Sequence, residues 1–347
     1  MKRLFPLLGI LLIFTFFAET INAQYASRKL SKKQQEYIDS IKTIEYDYIF
    51  PFLGQQAYKK GFDIPYPVGA MVNYIWMDQG IVIENFKLGI QNENINIPPT
   101  DVNEFIGFGE NRNVSYAMNF RPDIWVLPFL NVYGLFGYGA STIDVHVSFP
   151  IDIKSSVTQN LSTAGIGVMG AFGLGPVWVS LDGNWTWTKP ELLEEPVKGR
   201  VFGIRVGKTF TFKSDPEKNM AFWVGGMRLK MNSETNGNIL LRDAIPQDVW
   251  DNKDEFVQNY YNWYDSLDPI KQAIVDKSPI PEIIDRIDAK DGSSIISYGM
   301  DKRPKQEWNM IVGGQFQINK RWMLRTEAGI VGDRKSFLAS VNYRFKI

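Results

Sequence analysis

The chain carries one histidine, His146, and a hydroxyl two residues further on, Ser148. Residues two apart on a strand share a face. Imidazole and hydroxyl there have the spacing for general-base activation of a serine nucleophile, given an acidic group to orient the ring. The same pair also reads as two ordinary polar positions on a strand extension. A second set is charged: Arg205, Arg321, Arg325, Arg344 and Lys346, with Asp182 and Glu327 and the neutral Asn184, Gln315, Gln317 and Asn342. Each occupies the polar side of an alternating segment. Facing rows of opposite charge set up a transverse field that favours small polar or anionic solutes, or they brace a closed interior as ion pairs. A third set is aromatic: Trp250, Tyr260, Tyr261, Trp263 and Tyr264. Such rings combine apolar area with a polar tip and suit a ligand or partner platform, or ordinary packing.

Other chemistries have less to rest on. The chain has no cysteine, so disulfides and thiolate metal sites are excluded. Asp101, Glu104 and Glu110 lack the spacing of an EF-hand, and no metal or cofactor is expected. The glycine pairs Gly165/Gly167 and Gly173/Gly175 stand in strands and turns, with no βαβ unit after them. A net charge of zero leaves a nucleic-acid partner without an electrostatic footprint.

The elements that must position these residues alternate with a period of two. Trp308, Met310, Val312, Phe316 and Ile318 share one face, with Asn309, Gln315 and Gln317 on the other. Trp322, Leu324, Ala328 and Ile330 oppose Arg321, Met323, Arg325 and Glu327. The same rhythm runs through 113–120, 177–188 and 202–212, and further strands are expected over 68–77, 81–90, 125–139, 163–172 and 221–231. These spans match the ~9–11 residues of a tilted membrane strand. Tryptophans near strand ends (Trp76, Trp125, Trp185, Trp187, Trp308, Trp322) fit interfacial girdles. A soluble sandwich also alternates, so the ends of the chain decide.

At the C-terminus, Phe337, Ala339, Val341, Tyr343, Phe345 and Ile347 alternate with Leu338, Ser340, Asn342, Arg344 and Lys346. This resembles the terminal signal strand of bacterial outer-membrane β-barrels. At the other end, Lys2 and Arg3 precede an apolar run over 4–18, and Ile21-Asn22-Ala23 supplies a cleavage region. The Asn22-Ala23-Gln24 and Tyr343-Arg344-Phe345 segments are similar to those of barrels exported by Bacteroidota-like Gram-negative bacteria. The resemblance implies an all-β, transmembrane, antiparallel up-and-down barrel of about 12 strands, an even number as is usual for single-chain barrels. It implies residence in the cell outer membrane, contact with outer-membrane lipid, and delivery through the barrel-assembly machinery by the C-terminal strand.

The expected organisation is a signal peptide over 1–23, a helical extension or plug over 24–65, and a barrel over 66–347 interrupted by a helical extracellular insertion over 233–305. Short turns at 173–176, 214–219 and 319–320 fall on the periplasmic side. Segments 140–161, 189–199, 232–306 and 332–335 fall outside. Function is expected to be that of a channel or passive transporter for small solutes. Asp144-Val145-His146-Val147-Ser148 also resembles the His-x-Ser pair of outer-membrane lipid A deacylases, which implies an alternative as a barrel enzyme acting on lipid A or phospholipid. Phe149 stands where that family's pattern has asparagine. A third alternative is a surface-binding structural barrel.

Overall fold

The computed structural model describes residues 32–149, 153–193, 195–231 and 234–346. The expected signal peptide and its cleavage region lie outside them. Two helices come first, α1 (Lys32–Thr43) and α2 (Gly54–Lys59), followed by strands β1 (Val68–Gln91), β2 (Asn96–Asp101), β3 (Gly107–Phe108) and β4 (Asn111–Leu127). Next are β5 (Leu130–Phe149), β6 (Ile153–Leu174), β7 (Val177–Pro190), β8 (Val197–Thr211), β9 (Asn219–Met231) and β10 (Glu234–Leu240). A helical stretch comprises α3 (Leu241–Ala244), α4 (Gln247–Asp251), α5 (Lys253–Asp265), α6 (Pro269–Val275) and α7 (Ile280–Asp288). The chain ends in β11 (Ile295–Pro304), β12 (Trp308–Gln317), β13 (Trp322–Val331) and β14 (Lys335–Phe345).

Ten of the fourteen strands close a ring, in the order β1, β4, β5, β6, β7, β8, β9, β12, β13, β14 and back to β1. Every pairing is antiparallel, and the ring closes where Val68–Asp78 of β1 pairs with Phe345–Lys335 of β14. The expectation of about twelve strands therefore gives way to ten. Segments 68–77 and 81–90 are one continuous strand, whose lower part pairs with β14 and whose upper part, Ile81–Gln91, pairs with β11. The expected loop over 140–161 is mostly strand, since β5 and β6 stay paired from Leu130–Gly170 to Val147–Ile153.

A second correction concerns Trp125. Strands are expected over 113–120 and 125–139, yet β4 runs from Asn111 to Leu127, through Pro122. Pro122 still faces Ala70 of β1, while the pairing with β5 skips from Phe120–Phe136 to Asp123–Tyr133. Proline has no N–H to give the ladder, and the skipped pairs leave that need unmet on one side only. Alternation then carries Trp125 into the lumen, not to an outer girdle.

The faces otherwise divide as the alternation predicts. Tyr116, Met118, Phe120, Phe136, Tyr138, Ile166, Phe222, Val224, Met310 and Ile330 are all exposed on the outside. Trp185, Trp187, Trp308 and Trp322 are exposed as well. Water would not favour so continuous an apolar belt, and a closed barrel has no edge to pair. Its solvent is a bilayer. The lumen is narrow at this strand number and filled by side chains. Gly207 and Gly313 allow that filling: a Cβ at either would collide with the ring of Trp178 or Trp223.

At one end lie the connections at 128–129, 175–176, 212–218 and 318–321; at the other lie the short turn 332–334, the segment 191–196, and the long stretches between β1 and β4 and between β9 and β12. The extension α1–α2 packs at the turn end. The Phe52 N–H donates to the Val126 carbonyl at 2.9 Å, and Asp63 joins the Tyr37 hydroxyl at 2.7 Å and Lys320 at 3.0 Å. Among the described residues of this extension, Asp63, Ile64 and Pro65 reach the lumen wall, and α1 and α2 do not.

The insertion forms a cap at the other end. It begins and ends in strands, β10 and β11, with five short helices between, where the spacing of apolar residues suggested two or three helices and no strand. Asp268 caps α6 by accepting from the Ile270 and Lys271 N–H groups at 3.0 Å, with Pro269 at the first helical position. Ile280, Ile284 and Ile287 bury one face of α7 against Phe86, Ile90 and Val102, which the long β1 and its connection raise above the ring.

Candidate functional site, a layered lumen beneath the cap

Midway along the lumen, Arg205 on β8 reaches across β9 and β12 to Glu327 on β13. Its Nε lies 2.6 Å from Oε2 and its Nη2 lies 2.9 Å from Oε1, a bidentate pair. The third guanidinium nitrogen, Nη1, pairs with Asp182 on β7. Glu327 also accepts from the Trp223 indole N–H at 2.8 Å and from Arg325 at 3.1 Å. Arg325 lies 4.9 Å from the Trp223 ring centroid, and Arg121 lies 3.6 Å from that of Tyr133. Tyr133 bonds Asn184, and Asn73 bonds Asn119, at the same level. The lattice crosses the barrel with three cations (Arg121, Arg205, Arg325) against two carboxylates (Asp182, Glu327), a net charge of +1.

Below this lattice, toward the turns, is a chamber of about 300 Å³. Six cations (Arg121, Arg205, Lys320, Arg321, Arg325, Arg344) and two carboxylates (Asp63, Asp123) line it. Arg344 is committed structurally: Nη1 meets Asp123 at 2.9 Å, while Nε and Nη2 reach the Tyr66 and Pro67 carbonyls at 2.6 and 3.0 Å. Arg321 stands at the mouth, with Nη1 3.1 Å from the Tyr343 hydroxyl. Lys346 is exposed beyond the last strand.

Above the lattice is a second chamber of about 270 Å³ whose wall is mixed, with Gln79, Asn113, Ser141, Thr163 and Thr186 among apolar side chains such as Met77, Leu161, Leu193 and Leu229. It shares Ile143, Gln159 and Lys302 with a third cavity of about 260 Å³ inside the cap. That third wall is apolar, and ten of its side chains are isoleucine. Ile296, Tyr298, Met300 and Lys302 of β11 line it in turn. Among the described residues neither of these two cavities is lined by a carboxylate, and Lys302 makes no ion pair. Burial holds the Lys302 ammonium down at about 8.

The sequence-selected residues separate accordingly. Asp182, Arg205, Arg325 and Glu327 come together in one lattice, with Arg344 and Arg321 below it. His146 and Ser148 do not line any of these three cavities. Ile143, Val145 and Val147 line the cap cavity, so their alternates on β5 face away from it. The Ser148 hydroxyl donates to the Gly107 carbonyl at 3.3 Å, and the imidazole of His146 packs over Gly109. The aromatic platform is also corrected. Tyr260 and Trp263 are only 3% and 8% exposed and belong to the cap core, with Trp250 and Tyr264 packed against it. Tyr261 alone of the five is well exposed.

Sequence reasoning missed Lys302, Arg121, Tyr133 and Trp223. A signal for Lys302 existed, because Ile296, Tyr298, Met300 and Lys302 alternate, but it lay inside a segment read as helical. Arg121 lay between the spans expected as strands, 113–120 and 125–139.

No family model matches the chain, and no curated protein matches it. Solved structures that are similar include the β-domain of the Bordetella autotransporter BrkA, at 8% identity and a TM-score of 0.36, covering 80% of this chain and 100% of that one. The translocator domain of the autotransporter NalP from Neisseria meningitidis has 11% identity and a TM-score of 0.32, covering 84% and 92%. The toluene transporter TbuX from Ralstonia pickettii has 7% identity and a TM-score of 0.28, covering 81% and 90%. At such scores the membrane assignment rests on the barrel's own surface. A closed antiparallel ring of even strand number, with an apolar outer belt and exposed aromatics, is the build of an outer-membrane barrel, and the chain belongs in the outer membrane.

Proposed function

We propose that this barrel takes up small solutes passively, and that it is seen here in a closed state. The observation that carries the reading is the stacking of three cavities along one axis. The upper two share wall residues, and the Arg205–Glu327 lattice divides them from the lowest. The cap faces the outside, because outer-membrane barrels keep short turns in the periplasm and longer segments outside. The surplus of cations in the lower chamber favours anionic solutes.

A second reading is favoured by the completeness of the lattice: every oxygen of Glu327 is engaged, which suits a permanently sealed structural barrel. Efflux of small anions and neutral sugars from proteoliposomes separates the two. The uptake reading expects flux above protein-free vesicles for the full chain, faster for anions, and a further rise for Asp182→Asn/Glu327→Gln. Vesicles as tight as the protein-free control with both proteins would leave only the sealed barrel.

A further inference from the structure

We infer that the cap cavity is a binding site for a single-chain amphipathic anion, with the alkyl chain among the isoleucines and the anionic head on Lys302. The site stands on its own wall, whether or not the barrel conducts.

Three observations converge. The first is the cavity itself, about 260 Å³ and apolar on nearly every side, with Ile283, Ile284 and Ile287 of α7 facing Val145 and Ile153. β-branched side chains are stiff, so this wall does not readily collapse inward. The second is Lys302, which lies where the apolar cavity joins the upper lumen chamber, beside Gln159. Lysines in protein interiors are almost always paired, yet among the described residues Lys302 has no carboxylate on either side. Its strand neighbour Arg303 spends its charge on Glu84, on the other face. The third is what lies beyond. Gln159 and Ser155 stand in the same wall as Lys302 and add hydrogen-bonding capacity around a head group.

These features define the ligand's chemistry. An uncharged hydrocarbon would leave the ammonium buried without a counter-ion, and a cation would be repelled. An alkyl carboxylate or an alkyl phosphate monoester carries the shared chemistry, one anionic head on one chain, and the two can be told apart by experiment.

The test uses the full chain in lipid nanodiscs, with protein-free nanodiscs as the partition background. The probes are decanoate, decyl phosphate, decanol and decylamine, followed by equilibrium dialysis. Saturable binding of one decanoate or decyl phosphate per chain is expected, at least about tenfold tighter than decanol, because a charge-assisted hydrogen bond replaces a lone buried ammonium. Decylamine should not saturate. Shorter chains should weaken binding about threefold to fourfold per methylene removed. Lys302→Met should abolish the preference for the anion while keeping decanol binding. A Lys302→Met chain that does not fold would not rescue the idea, since the head-group order is read on the wild type alone. Equal affinity for decanoate and decanol on the wild type, or no saturable binding above protein-free discs, would overturn it. Preference between decanoate and decyl phosphate then assigns the head.

Discussion

Arg205 and Glu327 lie 122 residues apart in the chain and meet across the lumen as a bidentate pair, with two strands between them in the ring. Both are at most 9% exposed at the side chain. Solvent screening is therefore slight, and a partner left alone there stays charged and desolvated.

Glu327→Gln is accordingly expected to destabilise the barrel by up to about 3–5 kcal/mol, because it leaves Arg205 and Arg325 sharing only Asp182. Replacing Arg205 and Glu327 together by Met and Leu should cost less, since the charges left behind, Asp182 and Arg325, are of opposite sign and offset one another. Heat-modifiability in gels, followed with urea, measures both. A double variant as unstable as the single one would mean that the pair acts through packing, not charge.

Arg344 fastens the last strand to the start of the first, through Asp123 and the carbonyls of Tyr66 and Pro67. Arg344→Met should cost about 3–5 kcal/mol. Arg344→Lys should recover only part of that, because a single ammonium cannot replace a planar fork. Limited proteolysis between α2 and β1 is expected to speed up in both, and an unchanged cleavage rate would remove this fastening role.

His146→Ala is expected to leave the lipid A and phospholipid of expressing cells unchanged. His146 and Ser148 stand on the face of β5 away from the cap cavity, and the serine hydroxyl is engaged with Gly107. Mass spectrometry of extracted lipids checks this. Loss of an acyl chain in wild type, restored in the variant, would return the enzyme reading.

Lys302 sets a pH dependence whose sign can be worked out. Burial lowers its ammonium to about 8 in the folded cap, against about 10.4 in an unfolded chain. Between these values the unfolded chain holds more protons, so cap stability should rise with pH across that window. Binding of decanoate should run the other way, weakening as pH climbs through about 8 and the ammonium is lost. The other titratable side chains facing the cap cavity are Tyr260 and Tyr298, and burial raises both hydroxyls above the ordinary tyrosine range. Dialysis from pH 6.5 to 9.5 tests it, and a flat profile in wild type would exclude Lys302 as the head-group partner.

Much of this was legible in the residues themselves. The alternation at 321–330 and 337–345 placed Trp322, Leu324, Phe337 and Val341 outside and Arg325, Glu327, Asn342 and Arg344 inside, as found. Where it faltered, a local signal hid a longer-range fact. The spans 113–120 and 125–139 looked like separate strands because the partner strand's tolerance of Pro122, which lets β4 run through, is not visible in sequence. Segments 68–77 and 81–90 looked like two strands because the change of neighbour from β14 to β11 leaves no mark on β1. The cluster at Tyr260–Tyr264 looked like a platform because the same rings serve packing and recognition alike.

The sequence by itself determined the barrel, its inward and outward faces, and the end that carries the long insertion, because a side-chain period of two and turn length are properties of adjacent residues. Only the tertiary structure decided that ten strands close the ring, that Arg205 meets Glu327, and that Lys302 stands between the cap cavity and the upper lumen with no carboxylate beside it among the described residues. Those depend on which strands become neighbours and on what faces them across the lumen, and separation along the chain carries no record of either.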